Sequence, residues 1–280
     1  MKKIYLFLLL TPFMNVKAQT KHACCSPQSS ATTFSALASN VQFRNAHESP
    51  LPFYYTAMGR MITFPTPDGK TGSAYYIPAK KQTKNFIFVF HEWWGLNDYI
   101  KKVADMYADS IPNVNILALD LYDGKVATTP DEAGKLTQAN DEARSKAIIK
   151  GAINFAGKDA SLATVGWCWG GGWSMQAALL GGNQVKGCVM YYGMPESDIS
   201  KLKSLNSDVV FFWAKKDQWI NEKMKDDFVK NMQTAGKKLT VHEYDADHAF
   251  ANPSNPHYDK VAAADAQKIS LSYFRQVFKG

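Results

Sequence analysis

The amino-acid sequence predicts a protein of the α/β class, with a mostly parallel central sheet and helices on both faces. Apolar runs without polar alternation, such as N-F-I-F-V-F-H at 85–91 and V-N-I-L-A-L-D at 114–120, are typical of strands buried on both faces. Segments with helical patterns separate these runs, and parallel strands need such crossover connections. The length of 280 residues, with 46% hydrophobic and 20% charged residues, fits one large globular domain or two small ones.

The elements are predicted from residue 60 onward. Residues 60–65 and 72–78 flank the turn T-P-D-G-K and predict a β-hairpin. A proline and an acidic first turn at 130–132 predict the start of a long helix that ends near residue 156. The elements after the hairpin are strand 85–91, helix 98–110, strand 114–120, helix 130–156, strand 161–166, a helix after residue 169, strand 185–192, strand 208–213, helix 222–235, strand 239–244 and a helix from about residue 258.

This organisation indicates a single folded domain with an N-terminal extension. An antiparallel hairpin at the start of a parallel sheet fits the α/β-hydrolase fold. No linker interrupts the alternation of strands and helices and no internal repeat is present, so one domain is predicted over residues 59–280. Residues 19–58 form the extension, in which the Ser/Thr/Ala-rich stretch from Ser29 to Ser39 is expected to be a flexible lead-in.

Residues 1–18 have the pattern of a secretory signal peptide. Lys2 and Lys3 precede an apolar stretch, and V-K-A ends in the small residue Ala18, where we expect cleavage. Pro12 breaks the apolar stretch, which is too short for a comfortable membrane span. The sequence therefore predicts a periplasmic or secreted protein without stable membrane insertion after cleavage.

The charge of the chain gives no sign of a nucleic-acid partner. The formal net charge of +7 falls to +4 once the three lysines of the signal peptide are removed. The remaining lysines are dispersed, without an arginine-rich stripe or a nucleic-acid-binding motif. We expect solvated surface charges and no nucleic-acid binding.

The segment G-W-C-W-G-G at residues 166–171 predicts a nucleophile. It follows the strand L-A-T-V-G and precedes a helix, which is the arrangement of a nucleophile elbow with Cys168 in place of serine. Small neighbours are needed because the elbow residue is strained and packed between strand and helix. At the amino end of the helix, free NH groups and the helix dipole favour a thiolate. The backbone NH of Trp169 is a candidate oxyanion donor.

An acid and a histidine follow the elbow in the required chain order. Asp217 comes after the strand at 208–213, and His248 comes after the strand at 239–244. Because the carboxyl ends of parallel strands meet at one edge of the sheet, both side chains are expected near Cys168. Asp217 would orient the imidazole, and His248 would take the thiol proton and return it to the leaving group.

Other residues are candidates for the same roles. Asp245 and Asp247 are near in sequence, but they share the loop of His248, whereas the acid is expected from the preceding strand. His242 lies within a strand and is expected to be packed or on the surface. His91 ends a strand and is either structural or part of the site, and we favour a structural role.

The segment H-E-W-W-G at residues 91–95 follows the strand that carries the second oxyanion donor in α/β-hydrolases, here the NH of Trp93. Glu92 would stand at the mouth of a tryptophan-rich pocket. There its carboxylate can accept a hydrogen bond from the thiol or oppose the thiolate until substrate arrives. The alternative is an ordinary salt bridge, because perturbed carboxylates serve structure as well as catalysis.

These segments together resemble the signature segments of the dienelactone hydrolase family. The resemblance rests on H-E-W-W-G, G-W-C-W-G-G, W-A-K-K-D and D-H-A-F-A-N, and it covers roughly residue 60 to the C-terminus. It implies an α/β-hydrolase fold without a cofactor or metal. It also implies a triad of Cys168, His248 and Asp217 that opens a small lactone or ester through an acyl-thioester. In that family the glutamate of the first segment helps to control ionisation of the thiol, which implies the same role for Glu92.

The sequence departs from the family at the substrate carboxylate. The resemblance implies one arginine shortly after D-L-Y and another after H-x-F-A, but Lys125 and Asn252 stand at these places. A lysine does not replace the bidentate fork of arginine, so we expect a different, uncharged ester or lactone. The residues expected to line the substrate pocket are Trp94, Tyr122, Lys125, Trp219, Phe250 and Asn252.

Export places the thiol in an oxidising compartment. Cys188 precedes the end of the neighbouring strand by about three residues, which puts it roughly 10 Å below the elbow at ~3.3 Å per residue. That exceeds disulfide reach of ~7 Å, so we expect Cys188 to be a buried strand residue and Cys168 to be free. Cys24 and Cys25 lie in the extension, where lipidation, metal binding with His22 and pairing with another chain stay open.

Two classes of function follow. The first is an exported hydrolase of small esters or lactones with a cysteine nucleophile, and a peptidase or acyltransferase could use the same residues. The second is an exported binding or thiol-redox protein that keeps the fold without turnover. The missing arginines and the C-C pair at residues 24–25 are the features that support the second class.

Overall fold

The computed structural model describes Met1 and residues 29–279, and its centre is an eight-stranded sheet. The strand order is β1-β2-β4-β3-β5-β6-β7-β8, in which β2 is antiparallel to β1 and β4 and the later neighbours are parallel. The strands are β1 (Arg60–Pro65), β2 (Thr71–Ile77), β3 (Asn85–Phe90), β4 (Asn115–Asp120), β5 (Ser161–Trp167), β6 (Val185–Tyr191), β7 (Asp208–Ala214) and β8 (Leu239–Tyr244). The predicted α/β-hydrolase fold with its N-terminal hairpin is confirmed.

Helices connect the parallel strands and cover the sheet. A hydrogen bond of 2.9 Å joins two of these helices, between the hydroxyl of Tyr107 and the hydroxyl of Ser270. The sheet beneath is well covered, since every residue of β4 is buried. In residues 29–279 the α-helices are α1 (Ser30–Ser39), α2 (Val41–Asn45), α3 (Asp98–Ser110), α4 (Pro130–Ala139), α5 (Glu142–Ala156), α6 (Trp169–Gly181), α7 (Ile199–Lys203), α8 (Glu222–Thr234) and α9 (Lys260–Val277). The helix layers leave the carboxyl edge of the sheet to loops.

The single helix predicted over residues 130–156 is wrong, because the chain forms α4 and α5 with a break between them. Asn140 has extended backbone angles, and its side chain donates to the Leu121 carbonyl at 3.1 Å. Asp141 then caps α5 by accepting the NH of Ala143. Short polar side chains of this kind bind nearby backbone groups and thereby favour helix ends over helix interiors.

The Ser/Thr/Ala-rich stretch is helical instead of a flexible lead-in. Ser29 caps α1 by accepting the NH of Thr32, and the apolar side chains of Phe34 and Ala38 are buried. The short helix α2 follows directly and buries Phe43 completely. This part of the extension is folded because its apolar face finds a surface on the domain.

The predicted signal peptide and the neighbouring cysteines Cys24 and Cys25 lie outside the described residues. Within residues 29–279, none of the helices combines the length and apolar character required to cross a bilayer. Cys188 is a buried residue of β6, as predicted, and both Cys168 and Cys188 are free thiols.

Candidate active site

Cys168 occupies a strained turn between β5 and α6. Its φ of 54° and ψ of −120° lie in a region that residues with a side chain rarely adopt. A Cβ at Gly166 would lie 2.0 Å from the Gly170 carbonyl oxygen, and one at Gly170 would lie 2.4 Å from two carbonyl oxygens of the β3 end. The glycines are therefore required by the close passage of strand and helix, which holds the thiol above the carboxyl edge of the sheet.

The thiol, an imidazole and a carboxylate form one hydrogen-bonded line. His248 Nε2 lies 3.2 Å from Cys168 Sγ, and His248 Nδ1 donates to Asp217 Oδ2 at 2.6 Å. The second oxygen of Asp217 accepts the backbone NH groups of Trp219 and Ile220 at 2.8 and 2.9 Å. These bonds fix the tautomer of the imidazole and leave Nε2 to accept the thiol proton.

The pKa values of the thiol and of the imidazole are both shifted in this line. Burial raises the pKa of Cys168, and this outweighs the neighbouring imidazole and the Trp169 NH, which favour the thiolate. Burial opposes charge on His248, but the carboxylate of Asp217 and the sulfur of Cys168 outweigh it and hold the pKa of His248 well above its ordinary value. The thiolate that we expected at the helix terminus is therefore disfavoured by burial until a reaction draws the proton away.

Glu92 is a buried carboxylate beside this line. Its Oε2 accepts Asn252 Nδ2 at 2.5 Å, and its Oε1 accepts the Tyr192 hydroxyl at 3.4 Å. Burial raises the pKa of Glu92 from 4.5 to about 7, although the charge of His248 and the Tyr192 hydroxyl favour the ionised form. Glu92 makes no salt bridge with a lysine or arginine of residues 29–279, and its negative charge contributes to the raised pKa of Cys168.

His91 has the structural position that we favoured. Its Nδ1 donates to the Glu92 carbonyl at 2.6 Å, and its Nε2 accepts the Leu121 NH at 3.2 Å. Both nitrogens are thus used by the backbone of the two loops that follow β3 and β4. Burial also lowers the pKa of His91, which keeps the ring neutral.

Two backbone NH groups in the loops that follow β3 and β5 are candidates for binding an oxyanion. Among residues 29–279, the NH groups of Trp93 and Trp169 donate to no backbone carbonyl. Trp93 follows the end of β3, and Trp169 is the first residue of α6. Both positions match the places at which α/β-hydrolases bind an oxyanion.

Asp245, Asp247 and His242, the other candidates for the triad, make different contacts. Asp245 pairs with Lys216 at 3.3 Å, and Asp247 lies 3.7 Å from His257. His242 stacks on Phe212 with ring centroids 5.4 Å apart. None of these side chains contacts the thiol, the imidazole or the buried carboxylate of the site.

Of the six side chains expected to line the substrate pocket, some lie at a cleft or on the surface and others are packed in the interior. Trp219 is half-buried and lines a cleft beside His248, whereas Asn252 is bound to Glu92. Lys125 is exposed and makes no ion pair with residues 29–279. The three remaining side chains are packed in the interior: Trp94 lies against Trp93, Tyr122 lies between His91 and Trp169 and bonds Thr137, and Phe250 lies against Tyr192 and Tyr244.

Sequence reasoning missed three residues of the site. Tyr192 lies at the carboxyl end of β6, so its place beside the other strand ends was a usable signal. Phe43 and His47 come from the N-terminal extension, where no pattern indicates a site. The ring centroid of Phe43 lies 6.2 Å from that of His248, and the ring centroid of His47 lies 5.7 Å from it.

Metal ligands are not clustered in the described chain. Within residues 29–279, no group of three or more His, Cys, Asp or Glu residues has an arrangement that could hold a metal ion. The polar side chains at the carboxyl edge instead bind one another in the line of Cys168, His248 and Asp217 and in the contacts of Glu92. The arrangement is suited to proton transfer between sulfur and imidazole, with the Trp169 NH beside the sulfur.

Comparisons with known proteins identify the family to which the chain belongs. Residues 73–278 match a sequence model of the dienelactone hydrolase family. Protein usf of Aquifex pyrophilus is 29% identical over 78% of this chain and 99% of its own length, and a carboxymethylenebutenolidase of Pseudomonas sp. is 26% identical over 42% of this chain and 49% of its own length. The crystal structure of a dienelactone hydrolase from Anabaena variabilis has a TM-score of 0.59 at 16% identity, over 79% of this chain and 99% of that chain, and so shares the fold. The chain therefore belongs to the dienelactone hydrolase family, a family of carboxylic ester and lactone hydrolases within the α/β-hydrolase superfamily.

Proposed function

We propose that this protein is an exported hydrolase of small, uncharged esters or lactones that uses Cys168 as its nucleophile. The observation that carries the proposal is the line of contacts from sulfur through imidazole to carboxylate, at 3.2 and 2.6 Å. Three loops that are far apart in the chain supply these groups, and a purely structural role would not require a thiol on a strained turn. In this proposal His248 is the general base and acid, and Asp217 orients it.

The reaction would proceed in two steps. First, the thiol proton moves to His248 Nε2 while the sulfur forms a bond to the carbonyl carbon. The carbonyl oxygen gains negative charge, which the NH groups of Trp93 and Trp169 would stabilise. The carbon–oxygen bond to the alcohol then breaks, and the alkoxide takes the proton from His248. Second, water attacks the acyl-thioester and gives its proton to His248, and the thiol regains that proton as the carboxylic acid leaves.

Glu92 would control when the thiol ionises. Its carboxylate opposes negative charge on Cys168, so the neutral thiol is the resting form and is protected from oxidation in an exported protein. A substrate carbonyl would add an acceptor for the developing charge and thereby favour transfer of the proton to His248. Cys188 is not a second redox thiol of the site, because it contacts Ser174 at 3.6 Å within the core and is not paired with Cys168.

The choice of an uncharged substrate rests on one observation: within residues 29–279, no lysine or arginine makes a hydrogen bond or ion pair with the triad or with Glu92. Asn252 stands where the family resemblance implies an arginine, and its amide is bound to Glu92. Lys125 is exposed, and Lys216, which lines the cleft beside His248, pairs with Asp245 at 3.3 Å. A substrate carboxylate near Glu92 would therefore meet a negative charge without a compensating positive one.

The direct test is alanine substitution of each buried cysteine. Cys168→Ala should lower kcat/KM for phenyl acetate by at least about a thousandfold, because the thiol that contacts His248 is removed. Cys188→Ala is the matched control, since it removes a buried thiol from the same sheet without touching the line of contacts. Equal activity of Cys168→Ala and wild type, with both folded by circular dichroism, would refute the proposal.

Export is a separate part of the proposal and has its own test. The chain with residues 1–18 should be recovered from the periplasm or the medium with Gln19 as its first residue. Amino-terminal sequencing measures this directly. Recovery of the uncut chain from the cytoplasm alone would contradict export while leaving the hydrolase proposal intact.

A further inference from the structure

The N-terminal helices α1 and α2 are fixed to the domain by buried polar contacts. Ser30 Oγ accepts Gln176 Nε2 at 3.0 Å, and the same nitrogen donates to the fully buried carboxylate of Glu196 at 2.9 Å. Ser29 donates to Glu142 at 2.5 Å at the start of α1. Glu142 of α5 and Gln176 of α6 thus hold α1. Arg44 of α2 pairs with Asp131 of α4 at 3.0 Å, so the two helices are held at three places on the domain.

The second helix, α2, and the residues directly after it bring two aromatic side chains to the triad. Phe43 is completely buried, and its ring lies 5.1 Å from Trp93 and 5.2 Å from Trp219, measured between centroids. His47 lies 4.8 Å from Trp93 and 5.7 Å from His248 by the same measure. Matched residues of the family begin at residue 73, so these contacts come from a part of the chain outside the family match.

His47 is held as a neutral ring. Its Nδ1 donates to the Phe43 carbonyl at 2.7 Å, so its Nε2 carries the lone pair. Burial, together with the charge of His248, lowers the pKa of His47 to about 4. Within residues 29–279 the Nε2 atom has no hydrogen-bond partner, and His47 lines the cleft beside His248.

A cleft opens where this segment meets the last loops of the domain. It has a volume of about 190 Å³, and its lining includes Ala46 and His47 from the segment and Trp219 and His248 from the domain. A cavity of about 150 Å³ accommodates benzene, so this cleft has room for one ring-sized group. In a hydrolase of this type the histidine protonates the leaving oxygen, and the leaving group must therefore lie on the histidine side of the sulfur.

We propose that the N-terminal segment completes the leaving-group pocket, in which Ala46, His47 and Trp219 select an uncharged alcohol of about one ring in size. The proposal rests on the hydrolase function proposed above and deepens it by assigning the alcohol side of the substrate. His47 offers a neutral acceptor and Trp219 offers an aromatic face, which together suit a phenol or a small cyclic alcohol. An anionic alcohol would gain no unpaired lysine among the described residues that line the cleft, because Lys216 at the rim already pairs with Asp245.

The test fills the cleft from two sides and compares two acetate esters. Ala46→Trp and Gln218→Trp place an indole into the cleft from the segment and from the domain, and both positions are exposed. Each should lower kcat/KM for phenyl acetate at least about tenfold relative to kcat/KM for methyl acetate. The two esters share one acyl group, so the change in their ratio reports on the alcohol side alone.

Gln42→Trp is the matched control, since Gln42 is an exposed residue of α2 that does not line the cleft. It should keep the phenyl-to-methyl ratio of wild type. If both cleft-filling variants are folded and change the two esters by the same factor, the cleft does not hold the leaving group and the inference is overturned. If wild type hydrolyses neither ester through Cys168, the proposed function fails first, and this is seen before any cleft variant is made.

Discussion

Replacing Glu92 by glutamine should change how the stability of the protein depends on pH. Glu92 is buried beside Asn252 and Tyr192, and no cation pairs with it in the described chain. Burial raises the pKa of Glu92 to about 7 in the folded protein, compared with its ordinary value of 4.5, which applies to the unfolded chain. Between these two values the folded protein holds a proton that the unfolded chain has released, so the free energy of unfolding falls as the pH rises.

The size of this effect follows from the gap between the two pKa values. Each tenfold change in an equilibrium is worth about 1.4 kcal/mol, so the whole gap corresponds to about 3 kcal/mol. Between about pH 5 and about pH 9, the free energy of unfolding of wild type falls by about 2.5 kcal/mol of this total. Glutamine has the shape of the neutral acid and can accept the amide of Asn252, but it does not titrate. The free energy of unfolding of the variant should therefore rise by about 2.5 kcal/mol relative to that of wild type over this pH range.

Urea unfolding of wild type and Glu92→Gln at both pH values measures the difference. Glu48→Gln is the matched control, because Glu48 is exposed and its replacement removes a carboxylate from the same protein without a burial cost. The relevant quantity is the change with pH in the difference between the free energies of unfolding of wild type and variant, because this change reports on the Glu92 carboxyl. A difference between Glu92→Gln and wild type that stays constant within about 0.5 kcal/mol would refute the assigned pKa and its cause.

Three further substitutions test other parts of the structure. Asp217→Asn should lower kcat by about 10³-fold or more, because the amide cannot hold the imidazole in the required tautomer, and a loss below tenfold in steady-state assays would argue against this role. Gly166→Ala should destabilise the protein by about 3 kcal/mol or more in urea, because its Cβ would lie 2.0 Å from the Gly170 oxygen. Phe43→Ala should cost about 3 to 5 kcal/mol in the same assay, and a cost under about 1 kcal/mol would show that α2 is not packed as described.

The sheet could be predicted because its strands carry their signal within a few residues. The uninterrupted apolar runs at β3 and β4 allow only burial on both faces, and the bounds agree to one residue. The helix boundary at Asn140 could not be predicted, since the bond from its side chain to the Leu121 carbonyl is formed only after folding. The same holds for α1, whose Ser/Thr/Ala-rich sequence is helical because α4 and α6 cover its apolar face.

The candidate site could be predicted as far as it depends on strand ends. Cys168, Asp217 and His248 each follow a strand closely, and parallel strands bring their carboxyl ends together. His47 is different, because its place beside the imidazole depends on how the extension docks on the domain, which no local pattern records. Opposition to the thiolate by Glu92 was one of the roles considered from the sequence, whereas the burial that raises the pKa of Cys168 exists only in the folded protein.

The central claim is that the sulfur of residue 168 becomes covalently bonded to the acyl group of the substrate. Mass spectrometry of the intact protein and of its peptides after acid digestion, following rapid acid quenching of a reaction with phenyl acetate, tests it most directly. We predict that wild type gains the mass of one acetyl group on the peptide that contains Cys168, and that the adduct disappears as substrate is consumed. Turnover of phenyl acetate by wild type with no adduct on that peptide at any quench time, while Asp217→Asn also accumulates none, would contradict the account.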